Sequence, residues 1–161
     1  MTGNNRAGAA ERELRAETTI AAPPERVWAV LSDLSRMPDW SPELVRMVPL
    51  KRGGLRAGQW YLGINRRKGV VWPTRNVVAE IDPGRTLVWD TRTSGARWIF
   101  ELEADGEATR LSQRRPVPER IPTVSRLFAT AFLGGASEHA DELEDGMRRT
   151  LERVKEAAER G

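Results

Sequence analysis

Cysteine is absent from this 161-residue chain, and histidine occurs once, at position 139. The lack of cysteine excludes disulfides, thiolate metal sites and cysteine nucleophiles. A single histidine excludes a metal site built from several imidazoles, and it leaves His139 as the one imidazole that could act as a base. We therefore predict no metal site and no cofactor.

Long apolar runs are also missing. No segment approaches the roughly 20 apolar residues that a membrane-spanning helix requires, and residues 1–10 lack the apolar core of a signal peptide. The sequence therefore predicts a cytoplasmic protein without a membrane span.

An excess of charge of one sign is lacking as well. The chain has 26 basic and 23 acidic side chains, a formal net charge of +3. Its basic residues are dispersed among acidic ones, without a run that could follow a phosphate backbone. Nucleic acid is therefore not an expected partner.

The C-terminal segment, Glu138–Arg160, predicts a long helix with one apolar face. Its first turns are acidic and its last turns contain basic residues, the order that the helix dipole favours. At 100° per residue, one stripe collects Ala140, Leu143, Met147, Leu151, Val154 and Ala158. A helix of roughly 30 Å or more with one apolar face needs a broad apolar partner.

The preceding chain predicts a sheet as that partner. A strand over 13–20 is followed by two short helical segments, one from Pro23-Pro24 to Met37-Pro38 and one over 39–44. Alternating apolar and polar residues then predict six strands, over 45–49, 59–67, 70–81, 86–93, 96–103 and 108–115. Turn signals such as Lys68-Gly69 separate them. The pattern predicts an antiparallel meander of about seven strands, bent enough to wrap one long helix.

Two segments lie outside this pattern. Residues 1–11 have nothing to bury and are expected to form a disordered tail, and residues 12–161 are expected to form a single domain. Pro116–Gly135 contains three prolines, and apolar residues at helical spacing predict a short helix over Ser125–Leu133. It could be a connector that fills the edge of the core or a lid over a cavity.

Three blocks of the chain resemble a known superfamily. They are Ile20–Asp33 with Pro38–Pro42, Gly58–Arg66 with Trp72 and Asp82–Arg85, and Met147–Lys155. They resemble the START/Bet v 1-like helix-grip superfamily (SRPBCC), and within it the bacterial polyketide cyclase/dehydrase and lipid-transport group. The resemblance covers about Glu13–Ala158. It implies an α+β helix-grip fold, in which a curved antiparallel sheet wraps a long C-terminal helix and leaves a ligand cavity between them.

Strand alternation groups side chains by face without showing which face is inside. Tyr61 and Asn65 share one face of their strand, and the other face holds Trp60, Leu62 and Ile64. Relatives that resemble this block keep an aromatic residue, a glycine and an asparagine inside, which implies that Tyr61 and Asn65 face inward. The apolar strip on the other face would then suit a homodimer contact. The reverse arrangement would make Trp60 a pocket wall.

The inward assignment gives a set of candidate ligand-binding residues that combines aromatic walls with a few amides and hydroxyls. The set is Trp40, Tyr61, Asn65, Trp72, Thr74, Asn76, Trp89, Trp98, Phe100, Gln113, Phe128, Phe132, Leu143 and Met147. A single buried tryptophan is usually core filler whose ring N–H finds one partner. The chain has six tryptophans, which in a fold with a cavity favours an aromatic-lined site for two or three of them.

Candidate catalytic residues are few. Asn65 could orient a substrate, and His139, at the edge of the final helix's apolar stripe, could act as a general base. Such a histidine is more often a half-exposed edge residue. The nearest carboxylates to the inner strand faces, Glu80 and Asp90, lie beside turns. The three arginines that alternate with inner residues (Arg75, Arg97 and Arg114) are predicted to face solvent. In the reverse arrangement of the strand faces, one of them could bind a ligand carboxylate through paired hydrogen bonds.

Three functions are consistent with these residues. The first is binding of a hydrophobic or aromatic small molecule, lipid- or polyketide-like, in an internal cavity. The second is a polyketide cyclase, aromatase or dehydratase that acts on a substrate held there. The third is a dimeric interaction protein with a vestigial cavity. Members of the superfamily differ in function, so the fold does not choose among them.

Overall fold

The computed structural model describes residues 12–117 and 136–161. β1 (Leu14–Ile20) precedes α1 (Pro24–Leu31) and a 3-10 helix (Leu34–Asp39). The remaining elements are β2 (Leu44–Pro49), β3 (Trp60–Arg67), β4 (Val70–Asp82), β5 (Thr86–Thr91), β6 (Ala96–Asp105), β7 (Ala108–Arg115) and α2 (Ala136–Arg160). The strands form one antiparallel sheet in the order β1-β7-β6-β5-β4-β3-β2. The predicted α+β helix-grip fold is confirmed.

The hairpin between β3 and β4 illustrates how local sequence sets the register. Arg67 pairs with Val70, and the two residues between them, Lys68 and Gly69, have φ angles of 49° and 80°. Two successive positive φ angles define the hairpin turn that matches strand twist, and glycine adopts such a conformation without steric cost.

The two short helices after β1 are present, but their predicted boundaries are wrong. α1 ends at Leu31, and Pro38 lies inside the 3-10 helix instead of terminating a longer helix. A short 3-10 helix relies on few internal bonds, here from Arg36 N to Asp33 O (3.0 Å) and from Trp40 N to Met37 O (3.1 Å), so a proline without an N–H is tolerated. Leu44, the end of the predicted helical turn, instead begins β2.

α2 covers the β1 edge of the sheet and also packs into the hydrophobic core. It begins two residues before the predicted start and runs in the same direction as β1, an edge strand. Glu144 accepts a hydrogen bond from the backbone N–H of Arg15 (3.2 Å), Lys155 donates to Thr19 O (2.8 Å), and Glu159 accepts from Ala21 N (2.9 Å). These side chains satisfy backbone groups that an edge strand would otherwise present to another chain.

The apolar stripe of α2 packs against β1, α1 and β7. Met147, Leu151, Val154 and Ala158 are at most 3% exposed, so the predicted face is the buried face. Among the described residues, no helix is long and apolar enough to cross a membrane.

Several sequence-based predictions fall outside the described residues. They are the tail over 1–11, the short helix over Ser125–Leu133 with Phe128 and Phe132, and the side chain of His139. The connector and lid interpretations of the segment before α2 both stay predictions, as does the single-domain assignment.

Candidate functional site

The structure decides which face of the sheet is inside. In β3, Tyr61 is 6% exposed and Gly63 is buried, whereas Trp60, Leu62 and Ile64 are half-buried on the other face. Tyr61 pairs with Asn76, which pairs with Thr91 in the next strand. The face of Tyr61 and Asn65 therefore faces the core, as the resemblance implied, and burial raises the pKa of the Tyr61 phenol.

This inner face has an aromatic wall at its centre. Trp89 and Phe100 stack with ring centroids 5.2 Å apart and an interplanar angle of 27°. Trp98 pairs with Trp89 across β5 and β6, and Phe100 pairs with Gln113 of β7. Four of the predicted ligand-binding residues are thus neighbours on adjacent strands.

A chain of polar side chains crosses the same face, and we call it the polar band: Asn65, Thr74, Asn76, Thr91 and Trp98. The indole Nε1 of Trp98 donates to Thr91 Oγ1 (3.2 Å), whose hydroxyl donates to Asn76 Oδ1 (2.7 Å). The Nδ2 groups of Asn76 and Asn65 both donate to Thr74 Oγ1, at 3.2 and 3.1 Å. The band links four strands, β3 to β6, and its members satisfy one another.

Gly63 lies under the polar band because a side chain would displace it. A Cβ atom at this position would meet Thr74 Oγ1 at 2.6 Å and Asn76 Nδ2 at 3.2 Å. Thr74 would have to rotate, and it would lose its bonds to Asn65 and Asn76. Glycine is required here for close approach, not for its φ angle.

In the described part of the chain, two polar side chains beside the band each have a buried atom without a hydrogen-bond partner, and both belong to β7. Gln113 is 5% exposed, and its Oε1 is buried without a hydrogen-bond partner. The Nε of Arg115 is also buried without one, and its guanidinium lies over the Trp98 ring, 5.6 Å from the centroid. Burial lowers the pKa of Arg115. Arg115 was not predicted as a site residue.

A charged cluster lies where β3 ends and α2 begins. Arg67 contacts Glu142 of α2 and lies 3.6 Å from the carboxylate of Glu43, which precedes β2. Burial raises the pKa of Glu43, and the charge of Arg67 opposes that shift in part. Glu43 is a partly buried carboxyl that no local sequence pattern indicates. It lies in a loop, and neighbours from distant segments determine its environment.

Other candidate residues lie elsewhere. Trp40 is 1% exposed and lines an open pocket of about 350 Å³ between the 3-10 helix and α2, with Arg36, Arg153 and Ala157. Met147 is part of the core, and Leu143 packs against it. Glu80 is exposed. Asp90 faces outward, where it binds Arg97 through two hydrogen bonds of 2.7 and 3.0 Å.

Around the aromatic wall, the inner face can offer a ligand flat aromatic surface, amide and hydroxyl groups and the guanidinium of Arg115. Within residues 12–117 and 136–161, no group of three or more histidine, aspartate and glutamate side chains could hold a metal ion. Aromatic, amide and hydroxyl groups such as these bind small molecules through apolar contact and hydrogen bonds.

Comparison with known proteins shows the family and the fold of this chain. A family model described as polyketide cyclase / dehydrase and lipid transport matches residues 11–159. A comparison with curated protein sequences gives no match.

Solved structures share the fold. The Zhui aromatase/cyclase from Streptomyces sp. R1128 is 23% identical, with a TM-score of 0.66 over 92% of this chain and 94% of that one. The polyketide-cyclase-like protein Cgl2372 from Corynebacterium glutamicum is 25% identical, with a TM-score of 0.59 over 89% and 88%. Ara h 8.0201, a Bet v 1-like fold, is 12% identical, with a TM-score of 0.63 over 93% and 99%.

Proposed function

Because the chain belongs to the polyketide cyclase/dehydrase and lipid transport family of the SRPBCC superfamily, we propose that it encloses a hydrophobic or aromatic small molecule. The cavity lies between α2 and the inner face of the middle strands, β3 to β7. The cytoplasmic location of the protein stays a prediction.

The observation that supports this proposal most is the composition of the inner face. Stability alone does not require polar groups in a core, because each buried polar group costs free energy unless it is hydrogen-bonded. Here five polar-band residues, an amide and a guanidinium lie around the stacked rings of Trp89 and Phe100. Aromatic walls with a few fixed polar groups are typical of small-molecule sites.

Binding can be tested by indole fluorescence with a panel of fatty acids, flavonoids and polyketide-derived aromatics. Two tryptophans on opposite faces give a matched pair of variants. We expect Trp98→Leu to weaken binding of the best ligand by about tenfold and Trp60→Leu to leave it unchanged. Failure of the whole panel to bind, or a loss in Trp60→Leu alone, would contradict the proposal.

Polyketide cyclisation is the second candidate, because the chain belongs to this family and has a partly buried carboxyl, Glu43, whose pKa is raised. An enclosing cavity would fold a flexible poly-β-ketone so that reacting carbons approach, an effect of several kcal/mol. A base must remove a proton from the attacking carbon, and burial makes Glu43 a stronger base than an exposed carboxylate. Asn65 would orient a substrate carbonyl through its amide. The Zhui protein, which shares this fold, is an aromatase/cyclase.

Turnover of a linear poly-β-ketone by the full chain tests this second candidate. We expect Glu43→Gln and Asn65→Ala to lower kcat at least tenfold, and His139→Ala tests the remaining imidazole. Glu80→Gln, an exposed carboxylate, is the control and should keep the wild-type rate. Equal rates in all four variants would exclude these residues as the catalytic groups.

Homodimer formation through Trp60, Leu62 and Ile64 stays a further proposal. These side chains are half-buried within one chain, so a second copy would have limited additional apolar surface to cover. Light scattering of wild type and Leu62→Glu would detect such a dimer, since a charge at the strip should dissociate it.

A further inference from the structure

The end of β7 presents a cation and an amide to the inner face. Gln113 and Arg115 alternate with Arg114 and therefore share the inward side of the strand. Arg115 stacks on Trp98, a member of the polar band, while Gln113 pairs across the sheet with Phe100 of the aromatic wall. An arginine, an amide and two aromatic rings thus form one continuous surface.

The polar band does not use the hydrogen-bonding capacity of these two side chains. Thr91 and Thr74 accept from neighbours within the band, and the Trp98 N–H is already donated to Thr91. In the described part of the chain, Arg115 forms no ion pair, and neither its Nε nor Gln113 Oε1 has a partner. A buried polar atom without a partner costs free energy, so such atoms usually mark a missing ligand or water.

The neighbouring residue, Arg114, provides a comparison for the contacts of Arg115. It points outward and donates to Glu101 at 2.8 Å and to Glu13 at 3.2 Å. Arg115 faces the opposite side of the sheet, and no acidic residue pairs with it among residues 12–117 and 136–161. The guanidinium of Arg115 is held by an aromatic ring and keeps its planar N–H edge for another group.

We infer that this surface is the anion-binding part of the cavity, and that the ligand is an aromatic carboxylate. The ring would pack against Trp98 and Phe100, and the carboxylate would bind the guanidinium edge of Arg115 through paired hydrogen bonds. Gln113 would bind an adjacent polar substituent through its amide. This inference rests on the proposed function, because it assumes that the cavity admits a ligand.

The test compares 2-naphthoate with methyl 2-naphthoate, which has the same ring system but no charge. Dissociation constants are measured by calorimetry for the full-length wild type, Arg115→Gln and the control Arg114→Gln. We expect the wild type to bind the carboxylate about 10- to 100-fold more tightly than the ester. Arg115→Gln should lose that preference and keep its affinity for the ester, whereas Arg114→Gln should behave as wild type.

Each other outcome contradicts the inference. If the wild type binds the acid and the ester with equal affinity, the inference is contradicted. This comparison needs no variant, so it remains valid if Arg115→Gln does not fold. An equal loss in Arg114→Gln would assign the preference to overall charge. If neither naphthalene binds while other panel ligands do, the inference is wrong and the proposed cavity stands; if the whole panel fails too, both are wrong.

Discussion

Away from the charged cluster at the end of β3, the two faces of the sheet use polar residues in opposite ways. On the outer face, charge pairs with charge: Arg97 with Asp90 and Arg114 with Glu101. On the inner face, the residues next to these in sequence, Thr91 and Arg115, contact neutral partners instead. A difference of one residue along a strand thus changes the surroundings from solvent-screened ion pairs to buried amides, hydroxyls and rings.

This contrast separates stability from binding. Exposed ion pairs contribute about 0–1 kcal/mol, because water screens them. Buried hydrogen bonds cost more to break, since the abandoned partner stays desolvated. The outer face can therefore vary with little effect, whereas the inner face keeps a fixed arrangement of hydrogen-bonding groups and rings.

The largest difference between the faces should come from truncating the aromatic wall. Phe100 is 1% exposed and stacks on Trp89, so Phe100→Ala should lower the free energy of unfolding by about 3–5 kcal/mol. Glu103 of the same strand has a side chain that is 76% exposed, and Glu103→Ala should change it by less than about 0.5 kcal/mol. Urea unfolding followed by circular dichroism measures both. Similar losses would mean that Phe100 is not part of a packed wall.

A smaller difference is expected between Asp90 and Thr91, which are adjacent and face opposite ways. Thr91→Val keeps the shape but abandons Trp98 Nε1 and Asn76 Oδ1, at a cost of about 1–3 kcal/mol. Asp90→Asn weakens an exposed pair with Arg97 and should cost less than about 1 kcal/mol, decreasing further in high salt. Urea titrations at low and high salt test the pair. A larger loss in Asp90→Asn would reverse the assignment of the faces.

The smallest effect should appear as pH dependence at two carboxylates near the start of α2. Burial raises the pKa of Glu43, so the folded state binds more protons, and its contribution falls as the pH rises from the ordinary carboxyl range through that raised pKa. Hydrogen bonds from Arg12 lower the pKa of Glu144. The contribution of Glu144 is therefore present above the ordinary range and is lost as the pH falls through its lowered pKa.

Unfolding free energies measured across pH separate these two contributions. Glu43→Gln should remove part of the decline with rising pH, and Glu144→Gln should remove part of the loss at acid pH. If either variant shows the pattern expected for the other, the surroundings given for both carboxylates are wrong.

Sequence patterns were sufficient for the elements and for the grouping of residues by face. Alternation put Trp72, Thr74 and Asn76 on one face of their strand, as the structure has them. The same period, continued two residues beyond Gln113, would have put Arg115 inside. Arginine at a strand end is usually solvated, so residue type gives no signal that Arg115 lies inside. Thr91 shares the inner face of β5 with Trp89, but it was not included among the predicted site residues.

Other features depend on contacts that local patterns do not contain. The surroundings of Glu43 are set by Arg67 of β3, and those of Arg67 by Glu142 of α2, far away in sequence. Hydrogen bonds within the polar band depend on the register of four strands. The early end of α1 and the 3-10 helix that follows reflect packing of Leu34 and Met37 into the core, which proline signals alone do not specify.

One measurement tests the central claim most directly. The chain has six tryptophans, each with one indole N–H signal in a proton–nitrogen NMR spectrum. On titration with the tightest panel ligand, we expect the signals of Trp72, Trp89 and Trp98 to shift while those of Trp28 and Trp60 stay in place. Shifts confined to Trp60, or to Trp40 beside its open pocket, would contradict a binding site on the inner face of the sheet.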